Sequence, residues 1–242
     1  GIAGELLHGL PIVSLFEAGP DRDRLARYIR EHKGFRELTL QLTIDDDVRW
    51  WCLSARPRDD GRMHGVASDV TAQRTAEAKV SYMAHYCGLT DLANRFLFNE
   101  TLARSLKRLR EGEGAAILCL DLDQFKAVND TLGHPIGDRL LCEVARRIEA
   151  NVGKTDMVAR LGGDEFAVLI ERGESLEEVE ACARRIIEAI DMPFLLDEMQ
   201  VLTSTSIGIV MATSSEADPT EVMKQADLAL YSAKTNGRNR FA

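Results

Sequence analysis

The chain has no run of about 18 uninterrupted apolar residues, and no basic start followed by an apolar stretch. The sequence therefore offers neither a spanning helix nor a secretory signal, and the cytoplasm is the expected location. Cysteine is scarce and unpaired in pattern: five residues, at 52, 87, 119, 142 and 182, with no Cys-x-x-Cys pair and no His–Cys cluster at zinc spacing. That argues against a disulfide framework or a structural zinc site and leaves reduced, packed thiols. Basic charge is in deficit, with 30 Lys and Arg against 39 Asp and Glu and a formal net charge of −9. A chain whose main task is neutralising nucleic-acid phosphates or an anionic membrane is thereby disfavoured, although a local basic site remains open. What is present is ordinary for a globular protein, 45% apolar and 29% charged residues, which excludes wholesale disorder, collagen-like repeats and a coiled-coil rod. At 242 residues, two domains are expected.

The first seventy residues are patterned as a short helix and a β-meander. Leu25, Tyr28 and Ile29 recur at helical spacing, whereas Leu38, Leu40 and Leu42 alternate with Thr39, Gln41 and Thr43, the period of a half-buried strand. Asp45-Asp46-Asp47 reads as a turn into a strand at 48–54, and Asp59-Asp60-Gly61 as a turn into a strand at 63–67. Three antiparallel strands follow, with one apolar face and a marginal core of their own. Trp50 and Trp51 are expected as core and surface strand positions rather than a cofactor box, and the five histidines give no sign of haem ligation. From Thr71 to about Gly88 the composition predicts one helix with Val80, Met83, Ala84 and Cys87 on a stripe. Such a helix either lies on one domain as an amphipathic connector or pairs with its twin in a dimer and passes a signal onward.

Residues 89–242 alternate helix and strand. The pattern predicts a fully apolar strand at 115–120, a helix at 138–152, and strands at 157–161 and 166–170 joined by Gly162-Gly163-Asp164-Glu165. A capping box at Ser175-x-x-Glu178 opens a helix to about Ile190, and 201–212 reads as one long strand. Asp218-Pro219-Thr220-Glu221 then supplies a cap, a proline at the first helical position and an early acid for the last helix. The fold class is mixed α/β (α+β) with an antiparallel hairpin at its centre, which excludes a doubly wound parallel sheet.

Asp121 follows the apolar strand, and Asp164 and Glu165 occupy the hairpin turn. If those strands are neighbours, three carboxylates converge, or four if Asp123 points the same way. Two carboxylates about 4 Å apart repel by roughly 4 kcal/mol at an effective dielectric of 20, which a divalent cation relieves. Hard oxygen ligands, few of them from protein, suit Mg²⁺ sharing its shell with substrate phosphates. The bland alternatives are plain turn chemistry for the aspartates and a tight hairpin for Gly-Gly.

These residues carry a resemblance. Ala159-Arg160-Leu161-Gly162-Gly163-Asp164-Glu165-Phe166 is similar to the signature of the GGDEF family of diguanylate cyclases. The remaining motifs fall in order: Leu89-Thr90 with Asn94-Arg95, then Asp121-Leu122-Asp123-x-Phe125-Lys126-x-x-Asn129-Asp130, then Gly133-His134-x-x-Gly137-Asp138. Ser206-Ile207-Gly208 follows, and the series closes on Ala226-Asp227-x-Ala229-Leu230-Tyr231 with Lys234 and Gly237-Arg238-Asn239. The match spans 89–242 and implies a palm-like mixed sheet flanked by helices.

The family condenses two GTP molecules into cyclic di-GMP, the 3′-hydroxyl of each attacking the α-phosphate of the other with loss of pyrophosphate. By this resemblance Asp121, Asp164 and the Leu122 carbonyl fall on metal positions for Mg²⁺ or Mn²⁺, and Glu165 on a further ligand or general base. Asp121, Asp164 and Glu165 are the implied catalytic residues. Asn129 and Asp138 fall on guanine contacts. A carboxylate there accepts from two adjacent guanine donors, whereas adenine presents an acceptor and leaves it unpaired. Lys234 and Arg238 hold the triphosphate, with Lys126 and the backbone around Phe125 completing the cradle; His134, Gly162 and Gly163 are carried as further substrate positions. For Lys234 and Arg238 a solvated helix end, which favours basic residues anyway, is the alternative.

Two departures matter. An inhibitory Arg-x-x-Asp site for the product would need arginine at 153, where Gly153 stands while Asp156 is retained, so that site is expected to be lost. Cys87 stands where the family usually has aspartate two residues before Leu-Thr, so the coupling of linker to catalytic domain is expected to differ. Residues 1–70 resemble the back half of a PAS sensory domain through Arg49-Trp50-Trp51, Ser54-Ala55-Arg56-Pro57 and Gly65-Val66-Ala67-Ser68-Asp69-Val70-Thr71. The front strands of that fold lack a counterpart before Gly1, so a fragment of a longer chain is expected, and its ligand is unreadable.

The expected organisation is a partial PAS-like domain at 1–70, a linker helix at 71–88 and a GGDEF domain at 89–242. The first reading is a diguanylate cyclase acting as a homodimer, since each half-site holds one GTP and the product is two-fold symmetric. The second is a non-catalytic GTP-binding module that controls an adjoining domain, such as a phosphodiesterase after Ala242. A palm-like nucleotidyl transferase acting on nucleic acid is third, disfavoured by the acidic charge and the absence of a basic stripe.

Overall fold

The computed structural model describes residues 11–44, 46–110, 113–171 and 175–242, in two compact units, Gly1–Ser81 and Tyr82–Ala242. Asp45, in the expected triple-aspartate turn, lies outside the described residues.

In the first unit a 3₁₀ turn, Ile12–Leu15, precedes α1 (Pro20–Arg30) and the strands β1 (Phe35–Ile44), β2 (Asp47–Pro57) and β3 (Met63–Asp69). They form an antiparallel sheet in the order β1-β2-β3. Alternation in β1 buries Leu38, Leu40 and Leu42, which pack with Leu25, Phe35 and Leu53. Trp51 packs against this core, whereas Trp50 lies under the Arg74 guanidinium at 4.3 Å. The helix that follows, α2 (Thr71–His85), stops short of the expected Gly88. The chain leaves the helix because Tyr86 bridges to Ala93 and the Cys87 N–H donates to the Leu92 carbonyl at 2.8 Å.

The second unit comprises β4 (Ala93–Asn94), α3 (Arg95–Leu106), β5 (Ala115–Asp123), α4 (Phe125–Leu132), α5 (His134–Asn151), β6 (Met157–Gly162) and β7 (Glu165–Ile170). After these come α6 (Leu176–Asp191), β8 (Phe194–Leu196), β9 (Met199–Val201), β10 (Ser204–Ala212) and α7 (Pro219–Thr235). The main sheet runs β10-β5-β7-β6-β4, antiparallel except for the β4–β6 pair. It is the mixed sheet with a central β6–β7 hairpin that the pattern predicts. β5 is buried on both faces, hence its continuous apolar run. Leu118, Leu120 and Leu122 pack with residues of α5 and α6, whereas Ala115, Ile117 and Cys119 pack with residues of α3 and α7. The same parity puts Asp121 and Asp123 on the α3/α7 face.

Two elements differ from expectation. The single strand expected at 201–212 is broken at Leu202-Thr203, because Val201 pairs with Phe194 in a β8–β9 hairpin while Ser204 begins the ladder with β5. The helix expected from Asp138 starts at His134, where Gly133 at φ 85° ends α4 and Pro135 enters the first turn of α5. Among the described residues no helix is long and apolar enough to cross a membrane.

Candidate active site

β5 continues past its apolar stretch because Leu122 and Asp123 still pair with Thr205 and Ser204 of β10. It thereby delivers Asp121 opposite Glu165 of β7, with the Leu122 N–H donating to the Asp164 carbonyl at 3.3 Å. The turn between them requires its glycines: Gly162 at φ 149° and Gly163 at φ 53° adopt backbone that side chains disfavour. One cavity of about 210 Å³ at this strand end is lined by Asp121, Leu122, Asp164, Lys234 and Arg238, with Phe125 and Lys126 of α4. Gln124, at φ 60°, caps α4 without a side-chain hydrogen bond, leaving the first backbone N–H groups of the helix directed at this end.

Lys234 Nζ lies 2.7 Å from Asp121 Oδ2. Burial pushes the Asp121 carboxyl up, Lys234 pulls it down, and Asp164 and Asp123 raise it further. A carboxylate so desolvated and crowded is one that added positive charge stabilises. Glu165, directly across the ladder from Asp121, lines a neighbouring cavity of about 290 Å³ together with Asp121 and Lys234. It is engaged by Arg95, whose Nη2 lies 2.9 Å from its Oε2 and whose Nε donates to the Leu161 carbonyl at 3.1 Å. Among the described residues no three His, Cys, Asp or Glu side chains form a metal-holding group. Asp121, Leu122 and Asp164 line this cavity, and Glu165 joins Asp121 in its neighbour, so three carboxylates gather at this strand end, while Asp123 turns to protein donors. Asp123 is buried and wholly engaged with protein donors, including the hydroxyls of Ser204 at 2.7 Å and Ser206 at 2.8 Å.

One turn further along α4 from Phe125, Asn129 packs against Gly137 of α5, where a Cβ would collide with its Oδ1. Among the described residues that buried Oδ1 has no hydrogen-bond partner, so the packing leaves one acceptor unsatisfied. Asp138 is exposed on the next residue of α5, and His134 is exposed at its start.

A family model described as "Diguanylate cyclase, GGDEF domain" matches residues 84–240. The chain belongs to the GGDEF family. A signalling protein of uncharacterised function from Caulobacter vibrioides is 35% identical over 246 residues, 99% of this chain and 30% of its own length. The bifunctional diguanylate cyclase/cyclic di-GMP phosphodiesterase MucR of Pseudomonas aeruginosa is 40% identical over 172 residues, 71% of this chain and 25% of its own. The chain therefore spans about a quarter to a third of these curated relatives. The crystal structure of the GGDEF domain of TpbB from Pseudomonas aeruginosa superposes with a TM-score of 0.60 at 39% identity, covering 63% of this chain and 96% of that one.

Within this GGDEF domain, Arg160 ties the signature turn to the chain's approach. Its Nε and Nη2 donate to the Gly163 carbonyl at 3.0 and 2.8 Å, and its Nη1 reaches Cys87 Sγ at 3.4 Å. Burial raises the Cys87 thiol, but the Thr90 hydroxyl, the backbone N–H groups of Leu89 and Thr90, and Arg160 together bring it down to about 7. Burial instead pushes Cys142 up. Alkylation of Cys87 by iodoacetamide is accordingly expected to be half-maximal near pH 7, with Cys142 reacting only at more alkaline pH. Peptide-resolved mass spectrometry across pH 5.5–9 measures both, and equal profiles for the two thiols would refute the assignment. At the position expected to have lost the product site, Asp156 folds back so that the Gly153 N–H donates to its Oδ2 at 2.7 Å.

The motif residues Arg95 and Arg160 have structural roles that spacing did not disclose. Arg95 reaches partners 66 and 70 residues away, and only their membership of quoted motifs marked either residue beforehand.

Proposed function

We propose that this GGDEF domain is a Mg²⁺-dependent diguanylate cyclase that condenses two GTP into cyclic di-GMP and pyrophosphate at a homodimer interface. The observation that supports it best is the shared cavity of Asp121, Asp164, Leu122, Lys234 and Arg238 beneath the uncapped start of α4. Its donor set fits a hard divalent cation: two carboxylates and a carbonyl, one carboxylate held in a crowded, half-buried place. When bound, such a cation activates the 3′-hydroxyl and stabilises the leaving oxygen. Lys234 and Arg238 would grip the triphosphate, the N–H groups of Phe125 and Lys126 would bind its oxygens, and Asn129 and Asp138 would read guanine. On this reading Lys234 exchanges Asp121 for phosphate when nucleotide enters. Glu165 stands beside Asp121 with Oε2 held by Arg95. Because the product is two-fold symmetric, two domains each presenting one GTP complete the site. The three-stranded sheet and α2 that precede the domain are proposed to act as its PAS-type sensor and linker, in the cytoplasm.

Incubating the chain with GTP and Mg²⁺ and resolving the products by mass is expected to yield cyclic di-GMP. GTP consumed without that product, or left intact by both this chain and the full-length protein, would overturn the reading.

The identity to MucR, whose name joins a cyclase and a phosphodiesterase, favours a second reading: a GTP-binding domain that tunes an adjoining phosphodiesterase. Tight GTP binding without turnover, with a GTP effect on the hydrolysis of cyclic di-GMP by the full-length protein, would select it.

A further inference from the structure

The loop after α7 is held in a conformation that its own residues disfavour. Gly237, Arg238 and Asn239 have successive positive φ values of 114°, 57° and 49°. Glycine adopts this backbone freely, but Arg and Asn carry a Cβ that crowds it, and two such residues in succession persist only where their surroundings hold them.

The holding group is Asp123. Its carboxylate, buried at the end of β5, accepts from the Asn239 N–H at 3.2 Å as well as from the hydroxyls of Ser204 and Ser206. Arg238 Nε stands 3.9 Å from its other oxygen. The loop is fastened on its outer side as well, where Asn239 Nδ2 donates to Asp191 Oδ1 at 3.2 Å and the Arg238 N–H donates to the Ala233 carbonyl at 3.1 Å. Beyond it, the Ile207 N–H donates to the Arg240 carbonyl at 2.9 Å and the Ala242 N–H to the Ile207 carbonyl at 3.0 Å, so the segment returns along β10.

Asp123 thus shares a strand face and a cavity with Asp121 but has a different task. Both its oxygens face protein donors, whereas the Arg238 side chain beside it is 56% exposed. We propose that Asp123 is a positioning residue: it holds the 237–239 loop in its left-handed path and so aims the Arg238 guanidinium at the triphosphate. The inference rests on the reading of Arg238 as a phosphate-binding side chain.

The test is equilibrium binding of an α,β-methylene analogue of GTP with Mg²⁺ to the whole 242-residue chain, with steady-state GTP kinetics beside it. Arg238→Ala and Asp123→Ala are each expected to weaken binding about tenfold, and the double variant no more than Arg238→Ala alone, because both remove the same grip. KM for GTP rises with the binding loss while kcat stays within about twofold, a split that general unfolding would not produce. Asp123→Asn keeps the shape and an acceptor for the Asn239 N–H but removes the charge beside Arg238. It is expected to lose about threefold, and to lose nothing further in the Arg238→Ala background. This variant carries the test if Asp123→Ala fails to fold.

Additive losses would overturn the proposal. So would wild-type binding by the Asp123 variants while Arg238→Ala is weakened, and in that case only the positioning role falls. If the unaltered chain does not bind the analogue, or Arg238→Ala binds as tightly as wild type, the phosphate reading of the cavity falls and the positioning role with it.

Discussion

Asp164→Asn is expected to lower the rate of cyclic di-GMP formation by about a thousandfold while leaving the fold intact. Removing one of two carboxylates from the proposed divalent-cation site would forfeit several kcal/mol of charge stabilisation in the transition state, which transition-state arithmetic converts to about that factor. The substitution spares what shapes the turn. The bond that joins it to β5 runs from the Leu122 N–H to the main-chain carbonyl of residue 164, and the left-handed positions belong to Gly162 and Gly163. Its melting temperature should therefore stay within about 2 °C of the parent, as for a substitution outside the core. Initial rates of pyrophosphate release with GTP and Mg²⁺, read beside a thermal melt, check both halves. A variant as active as the parent would remove Asp164 from the proposed metal site.

The largest expected effect on stability lies away from the cavity. At Gly208 of β10 the backbone of α7 passes so close that a Cβ would collide with the Ala226 carbonyl oxygen and the Leu230 N–H, and would stand 2.9 Å from Leu230 Cα. All three are main-chain atoms, so no rotamer change relieves the clash and the helix itself must move. Gly208→Val is expected to cost about 3 kcal/mol, a fall of about 6–12 °C in the melting temperature of the unit. The helix displaced carries Lys234 and leads to Arg238, so activity should fall beyond what the unfolded fraction explains. An unchanged melting temperature would show that β10 and α7 do not approach as described. Gly208 reads in the sequence only as part of a motif; its reason is the 17-residue helix α7 lying across it.

Some elements were legible because local rules and tertiary packing agree. Leu38, Leu40 and Leu42 alternate and are buried as a strand face. Ser175 caps α6 by accepting from the Glu178 N–H at 3.2 Å, and Asp218 caps α7 before Pro219. Others were settled by pairing at a distance. No local signal breaks the stretch at 201–212 near its start; pairing with β8 takes Val201, pairing with β5 takes the residues from Ser204 on, and the two divide it at Leu202-Thr203. The connector helix loses its last residues to the Tyr86–Ala93 bridge and the Cys87–Leu92 hydrogen bond, a gain that outweighs the helix propensity of a few more residues.

The sequence by itself determined the class of sheet, the order of the motifs and the residue types of the site: two aspartates near a glycine turn, an Asn–Asp pair flanking Gly133, and two basic residues four apart at the C-terminal end. The sheet class and the acidic glycine turn depend on turn chemistry and periodicity, which act over a few residues, whereas the Asn–Asp pair and the two basic residues were marked only by the family resemblance. Only the tertiary structure decided how the charges are shared. Asp121 takes Lys234, Glu165 takes Arg95, and Asp123 turns to Ser204, Ser206 and the 237–239 loop. Asp121, Asp123, Asp164 and Glu165 look equivalent along the chain. Burial and the donors that the facing strands and helices happen to bring make them different, because the free energy of a carboxylate is set by its desolvation and its partners rather than by its neighbours in sequence.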